Sequence, residues 1–310
     1  MGAETVLVTG GAGFIGSALC RALLARGARV IAYDDLRRGR PDLLPDDPQC
    51  ELVHGDVRDA AGLRRVFMGG GVRAVCHLAA LHFIPYCIAH PDEAMDVNVN
   101  GTRQVLEACR AAPPSVLLFA STAAVYPAEE GPFAEEHAPG PIDVYGATKL
   151  MGEELVRAFA LETGVPTVIA RLFNAFGPRD TNPHLIPDLL AQLDEGDTVR
   201  LGNLEPVRDY VHLEDLAAAL VELLEKRPSG CSVFNVGSGE GRSVREVLAA
   251  FEAAVGRPLR VVQDPARVRT VERPRLVADT GKLRQTGWRP RVGFDEGIRR
   301  LAAGLRARTG

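Results

Sequence analysis

Tyr145-Gly-Ala-Thr-Lys149 sets a phenol and an ammonium four residues apart, so a helix would carry both on one face. A phenol of ordinary pKa, about 10, is a poor base at neutral pH. A neighbouring positive charge favours the phenolate, so the pair is expected to let Tyr145 move a proton while a hydride moves to or from a nicotinamide. Lys149, together with the positive nicotinamide, is expected to favour the Tyr145 phenolate, and also to hydrogen-bond the nicotinamide ribose. Ser121 and Thr122 follow an apolar run at Val116–Ala120. A hydroxyl there, at the edge where such sheets bind ligands, can hold the reacting oxygen against Tyr145. Because YxxxK also arises by chance, the reading needs a second signal.

That signal is Thr9-Gly10-Gly11-Ala12-Gly13-Phe14-Ile15-Gly16, set between a strand at Thr5–Thr9 and a helix at Ser17–Arg26. Gly11-x-Gly13-x-x-Gly16 satisfies the dinucleotide fingerprint: a tight turn, close approach of a pyrophosphate, and a helix N-terminus facing the phosphates. Asp34 closes the next strand, 18 residues past Gly16. An acid there accepts the adenosine ribose hydroxyls and repels a 2′-phosphate, which favours NAD. Arg37 and Arg38 keep NADP in play. Gly55-Asp56-Val57 offers a carboxylate to an adenine amine, and Leu78-Ala79-Ala80 offers small residues for close backbone approach. Asn98 either caps its helix or braces that backbone.

The elements carrying these residues alternate. Strands at Arg29–Tyr33, Glu51–His54, Ala74–Leu78, Val116–Ala120 and Pro166–Arg171 are interspersed with helices at 97–111 and 145–163. This implies an α/β fold, a doubly wound parallel (Rossmann) sheet with a smaller mixed α/β substrate domain. The expected division is residues 1–173 for the cofactor domain, rejoined by roughly 210–238, and 174–310 mainly for substrate. A helix at Val211–Leu224, a strand at Val233–Val236 and a helix at Val244–Val255 are read in the second half. At 310 residues and 46% hydrophobic the chain can bury a full core, and its net charge of −4 gives no basic face for nucleic acid. No apolar run reaches the ~20 residues of a membrane span. Six cysteines without a CxxC pair read as reduced thiols in the cytoplasm, and no metal site is expected.

Taken together, TGGAGFIG (9–16), YDD (33–35), GDV (55–57), HLAA (77–80), NVNGT (98–102), STAAVY (121–126), YGATK (145–149), RLFNAFGP (171–178) and RDYVHLEDLA (208–217) resemble the extended short-chain dehydrogenase/reductase family. RxxE (269–272), ADT (278–280) and GW (287–288) extend the likeness, which is to the NAD-dependent nucleotide-sugar epimerases and dehydratases. The resemblance implies cofactor contacts from Gly10, Gly13, Phe14, Ile15, Gly16, Asp34, Asp35, Asp56, Val57, Leu78, Ala79, Ala80 and Asn98, together with Tyr145 and Lys149. It also implies that Asn174 contacts the sugar diphosphate, that Leu185 lies in the stretch lining the nucleotide, that Arg208 and Arg269 grip the diphosphate, and that Glu272 holds the nucleotide ribose. A homodimer joined through helices 101–111 and 145–163 is implied as well.

The family's 4,6-dehydratases place an Asp-Glu pair where this chain has Ala123-Ala124, and two methyl groups do no acid–base work. The chain therefore resembles the 4-epimerases, acting on a UDP-hexose by transient oxidation at C4 with a retained NAD. Three alternatives stay open: a 4-ketoreductase, an atypical dehydratase or 3,5-epimerase using His82, Tyr86 or Cys87, and a non-catalytic dinucleotide-binding regulator. His82 is expected beside the sugar.

Overall fold

Thr5–Thr9 reads TVLVT, a run without polar alternation, as a strand covered on both faces requires. In the computed structural model, which describes residues 4–180, 182–268 and 272–306, that strand lies inside the sheet, paired along both edges. The first half runs β1 (Thr5–Thr9), α1 (Phe14–Leu24), β2 (Arg29–Asp34), β3 (Cys50–His54), α2 (Ala60–Gly70), β4 (Val72–His77), α3 (Ile84–Ala89), α4 (Pro91–Met95), α5 (Gly101–Ala111), β5 (Val116–Thr122), α6 (Val144–Thr163) and β6 (Thr167–Leu172). The second half runs β7 (Asn174–Phe176), α7 (Leu185–Glu195), β8 (Thr198–Leu201), β9 (Val207–His212), α8 (Leu213–Lys226), β10 (Cys231–Val236), β11 (Gly241–Ser243), α9 (Val244–Val255), β12 (Arg260–Gln263), β13 (Arg275–Leu276), α10 (Gly281–Gln285) and α11 (Phe294–Arg306).

Seven parallel strands form the main sheet in the order β10-β6-β5-β4-β1-β2-β3. The order reverses between β1 and β4, so a crevice opens there beyond the carboxyl ends of the strands. Leu19, Leu23, Leu216 and Leu220 of α1 and α8 pack on one face, while Leu63, Val105, Val156 and Phe159 of α2, α5 and α6 pack on the other. A smaller lobe gathers β7, β9, β11 and β13, with α7, α9 and α11 around Phe176, Leu189, Phe251 and Ile298. β10 and α8 lie in the second half of the chain yet belong to the large sheet and its cover.

Three boundaries differ from the sequence reading for identifiable reasons. Helix α1 starts at Phe14, directly on the glycine turn. Val207–His212 is a strand where a helix was expected from Val211; the apolar Tyr210-Val211 belongs to β9, and the His212 imidazole then caps α8 by accepting from the Glu214 amide at 3.4 Å. Asp96–Asn100 forms a π-type turn ahead of α5. Among the described residues no helix is long and apolar enough to cross a membrane.

Candidate active site

The glycine turn sits at the switch point. Gly10 has φ +70°, and a Cβ there would press on the Ala79 amide at 2.9 Å. A side chain at Gly16 would overlap the Gly10 carbonyl. The N-cap of α1 is Gly13, and no side chain closes the helix end. The first amides of α1 are thus left for an acceptor in the cleft, which Gly13, Phe14, Ile15 and Gly16 line. The Asp34 carboxylate accepts from the amides of Ala12 (3.0 Å) and Leu36 (2.9 Å), so it anchors the turn that it borders. Burial pushes its pKa up and the Leu36 and Ala12 amides pull it back. This cradle, an uncapped helix start beside a fixed carboxylate, fits a dinucleotide.

One cleft of about 1240 Å³ runs from this turn across the sheet edge into the smaller lobe. Every described site residue inferred from the sequence lines it, save Asn98. Asn98 stands behind the wall: its Oδ1 accepts from the Leu81 amide at 2.8 Å, and its Nδ2 donates to the Leu81 carbonyl at 2.9 Å and to Thr148 Oγ1 at 2.9 Å. Its side chain caps no helix end; it fixes the backbone just past Leu78-Ala79-Ala80. Asp56 and Val57 also line the cleft, the Asp56 carboxylate bound by Arg58 at 2.5 Å.

At the far end of β5, Thr122 and the α6 residues Tyr145 and Lys149 converge on the cleft. Burial raises the phenol of Tyr145, and the Thr122 hydroxyl pulls the other way. Lys149 is 2% exposed, its Nζ 4.1 Å from the centre of the Phe119 ring. Burial brings its pKa down to about 7, against the charge of Glu153. Burial is the dominant influence on both groups and favours the neutral form of each. Ser121 is also reassigned: its hydroxyl donates to Glu153 Oε1 at 2.6 Å in a buried network.

Two positioning groups escaped the sequence reading. Asp143 caps α6 by accepting from the Gly146 amide at 2.8 Å, a signal that an Asp two residues before Tyr145 does carry. Arg273, 6% exposed, donates to the carbonyls of Ala124 (2.7 Å) and Tyr126 (3.1 Å) and to Asp143 Oδ2 (3.1 Å). It ties the Thr122–Tyr126 turn to the start of the Tyr145 helix. Gly146 lets them meet, since a Cβ there would overlap the Ala124 carbonyl.

Where the smaller lobe meets the cleft, Arg208 and Glu272 pair at 2.5 Å, and Arg208 Nη1 also donates to the Val207 and Arg273 carbonyls. Asn174 and Leu185 line the same end. His82 lines the cleft with Nε2 2.9 Å from Asn182 Oδ1; burial lowers its pKa. Tyr86 and Cys87 do not line it. Tyr86 donates to Glu93 Oε2 at 2.7 Å, and Cys87 is fully buried against the Leu81 carbonyl. The expected Arg269 lies outside the described residues.

A switch-point dinucleotide cradle facing a Thr-Tyr-Lys cluster defines a nicotinamide-dependent enzyme of the Rossmann class. Residues 6–237 match the model of the NAD dependent epimerase/dehydratase family, and the chain belongs to that family. It is 36% identical to the UDP-glucose 4-epimerase of Azospirillum brasilense, the match covering 96% of this chain and 90% of that one. The UDP-glucose 4-epimerase of Thermus thermophilus, solved in complex with NAD, superposes with a TM-score of 0.87 at 35% identity, covering 98% and 99% of the two chains. The Thermotoga maritima UDP-glucose 4-epimerase, solved with UDP-glucose, gives 0.91 at 28% identity over 99% and 100%. The chain is an NAD-dependent epimerase.

Proposed function

We propose that the substrate of this nucleotide-sugar 4-epimerase is a UDP-hexose, epimerised by oxidation and reduction at a single sugar carbon. The observation that carries the reading is the Thr122-Tyr145-Lys149 cluster, next to two buried alanines, Ala123 and Ala124, at the wall of the same cleft. A proton can be moved there, but no carboxyl pair is present at those two positions to eliminate water. When bound, NAD supplies a reversible acceptor for the hydrogen on the sugar carbon.

Tyr145 Oη takes the proton of the 4-hydroxyl and returns it, with Thr122 Oγ1 fixing the oxygen. Lys149, with its pKa near neutrality, holds the charge that makes the phenolate accessible once the cleft is filled. Gly10, Asp34, Asp35, Asp56 and Val57 are assigned to the adenosine and pyrophosphate end, and Leu78-Ala79-Ala80, braced through Asn98, to the nicotinamide end. Arg208 holds the sugar-nucleotide diphosphate, a task suited to a guanidinium that Glu272 and two carbonyls keep in one geometry. Glu272 holds the nucleotide ribose, Leu185 and Asn174 line the nucleotide sugar, and His82 shapes the sugar pocket. Residues 1–173 with β10 and α8 serve the cofactor, and the smaller lobe serves the substrate.

The chain is further read as a cytoplasmic homodimer. All six cysteines are free, as a reducing compartment keeps them. Met151 (46% exposed) and Leu161 (90% exposed) leave large apolar side chains uncovered on α6, which packs beside α5. Sedimentation should show a dimer at micromolar concentration that Leu161→Glu dissociates; a wild-type monomer would refute it.

The deciding test of the chemistry is incubation with UDP-, dTDP-, GDP- and CDP-sugars in heavy water, followed by proton NMR. A UDP-hexose should interconvert with its C4 epimer, without added cofactor and without deuterium at any carbon. Deuterium at C5 would instead indicate enolisation and sink the reading.

A further inference from the structure

Of the three arginines in the loop after Asp34, Arg40 pairs with Asp42 at 2.7 Å, while Arg37 and Arg38 stand on the rim of the cofactor end of the cleft. Cations at that position hold a ribose 2′-phosphate, whereas the acid closing β2 favours the free 2′-hydroxyl. The sequence alone sets these two tendencies against each other. The structure shows where the cations go.

Arg37 Nη2 reaches away to Glu93 Oε1 at 2.6 Å, at the edge of α4. The other oxygen of Glu93 accepts from the Tyr86 hydroxyl at 2.7 Å. The Tyr86 ring stacks on His90 with centroids 4.2 Å apart, and the Arg38 guanidinium lies 5.7 Å from the centre of the same ring. The Tyr86 hydroxyl and then Arg37 hold the Glu93 carboxyl below the usual range, so it is ionised at neutral pH. Meanwhile the Arg37 amide donates to Asp35 Oδ1 at 3.1 Å, pinning the backbone from which the side chain departs. Both rim cations are thus drawn to the α3–α4 segment.

We propose that Glu93, supported by Tyr86, is a cofactor-specificity residue: by holding Arg37 across the rim it withholds the cation that a 2′-phosphorylated dinucleotide needs. Rejection arises from a contact denied to the wrong ligand, not from one added to the right ligand. Arg37 and Glu93 are partly exposed, their side chains 45% and 27% accessible. Exposed pairs of this kind contribute little to stability, so variants at these positions should fold.

The proposal rests on the glycine turn holding the dinucleotide, which the cofactor content of the wild-type chain reads separately. Full-length wild type, Glu93→Ala, Arg37→Ala and the double variant are each equilibrated with equal concentrations of NAD and NADP. They are then freed of unbound nucleotide and unfolded, and the released cofactors are quantified by chromatography. The wild type should release NAD almost alone. Glu93→Ala should raise the NADP-to-NAD ratio about tenfold, and high salt should shrink that gain because it is electrostatic. The double variant should return to the wild-type ratio. Glu93→Gln, which keeps the shape and removes the charge, should move in the same direction as Glu93→Ala. An unchanged ratio in both Glu93 variants, or a rise that persists without Arg37, overturns the proposal. Loss of NAD and NADP alike from Glu93→Ala would show a merely structural cluster and overturns it too.

Discussion

Lys149 and Glu153 lie one turn apart on the same face of α6, 2% and 0% exposed, yet their surroundings differ in kind. Glu153 is saturated. Arg171 binds its two oxygens from Nε and Nη2 at 2.9 and 2.8 Å, and Ser121 donates at 2.6 Å. Arg171 in turn donates to Tyr126 Oη at 3.0 Å and the Glu135 carbonyl at 3.2 Å, and Tyr126 donates to Asn235 Oδ1 at 2.7 Å. Among the described residues no hydrogen bond reaches Lys149 Nζ, which faces the Phe119 ring and the cleft. A buried charge that is fully partnered fixes architecture, and one left short of partners at a cleft is poised to act on what enters it.

Breaking the saturated pair should have the largest effect. Glu153→Ala strands the Arg171 guanidinium in the core, and removing one partner of a buried pair costs about 3–5 kcal/mol. Urea denaturation should show that loss, and a loss under about 1 kcal/mol would mean the pair does not anchor β5, β6 and α6. Next comes the chemistry. Tyr145→Phe should lower epimerase turnover by about 10³-fold, within the range for a lost general acid–base group, while leaving the denaturation midpoint near that of the wild type. A turnover within tenfold of wild type would remove Tyr145 from the proton path.

The same contrast explains what could be read from the residues. Tyr145 and Lys149, the glycines at 10–16 and Asp34 were legible because their chemistry depends on spacing along one strand-turn-helix or one helix face. Arg273 was not: its three partners lie 130 to 149 positions away in the chain, reached only when β13 is laid against β9. Glu153 and Arg171 look in the sequence like two ordinary surface charges, and only the pairing of β5 with β6 beneath α6 puts them in the core. The parallel order of the main sheet followed from alternating strands and helices. The smaller lobe was less legible, because its strands are short, such as Arg275–Leu276, and paired across long separations.

Lys149 gives the smallest and sharpest separation of the two neighbours. Lys149→Met should lower turnover by about 10²-fold yet raise the stability of the cofactor-free chain, since it removes a buried charge without stranding a partner. The gain should depend on pH in a definite direction. Lys149 titrates near 7 in the folded chain and at its ordinary 10.5 when unfolded, because burial disfavours the ammonium. Between those values the unfolded chain binds more protons, so this group makes stability rise with pH, by at most about 1.4 kcal/mol per pH unit. The advantage of Lys149→Met should therefore be full below pH 7 and shrink steadily as pH rises toward 10.5. Denaturation of both proteins at pH 6.5, 8 and 9.5 measures the difference. A gap that stays constant across the series would mean that Lys149 is charge-stabilised like Glu153, and the contrast between the two turns of α6 would fail.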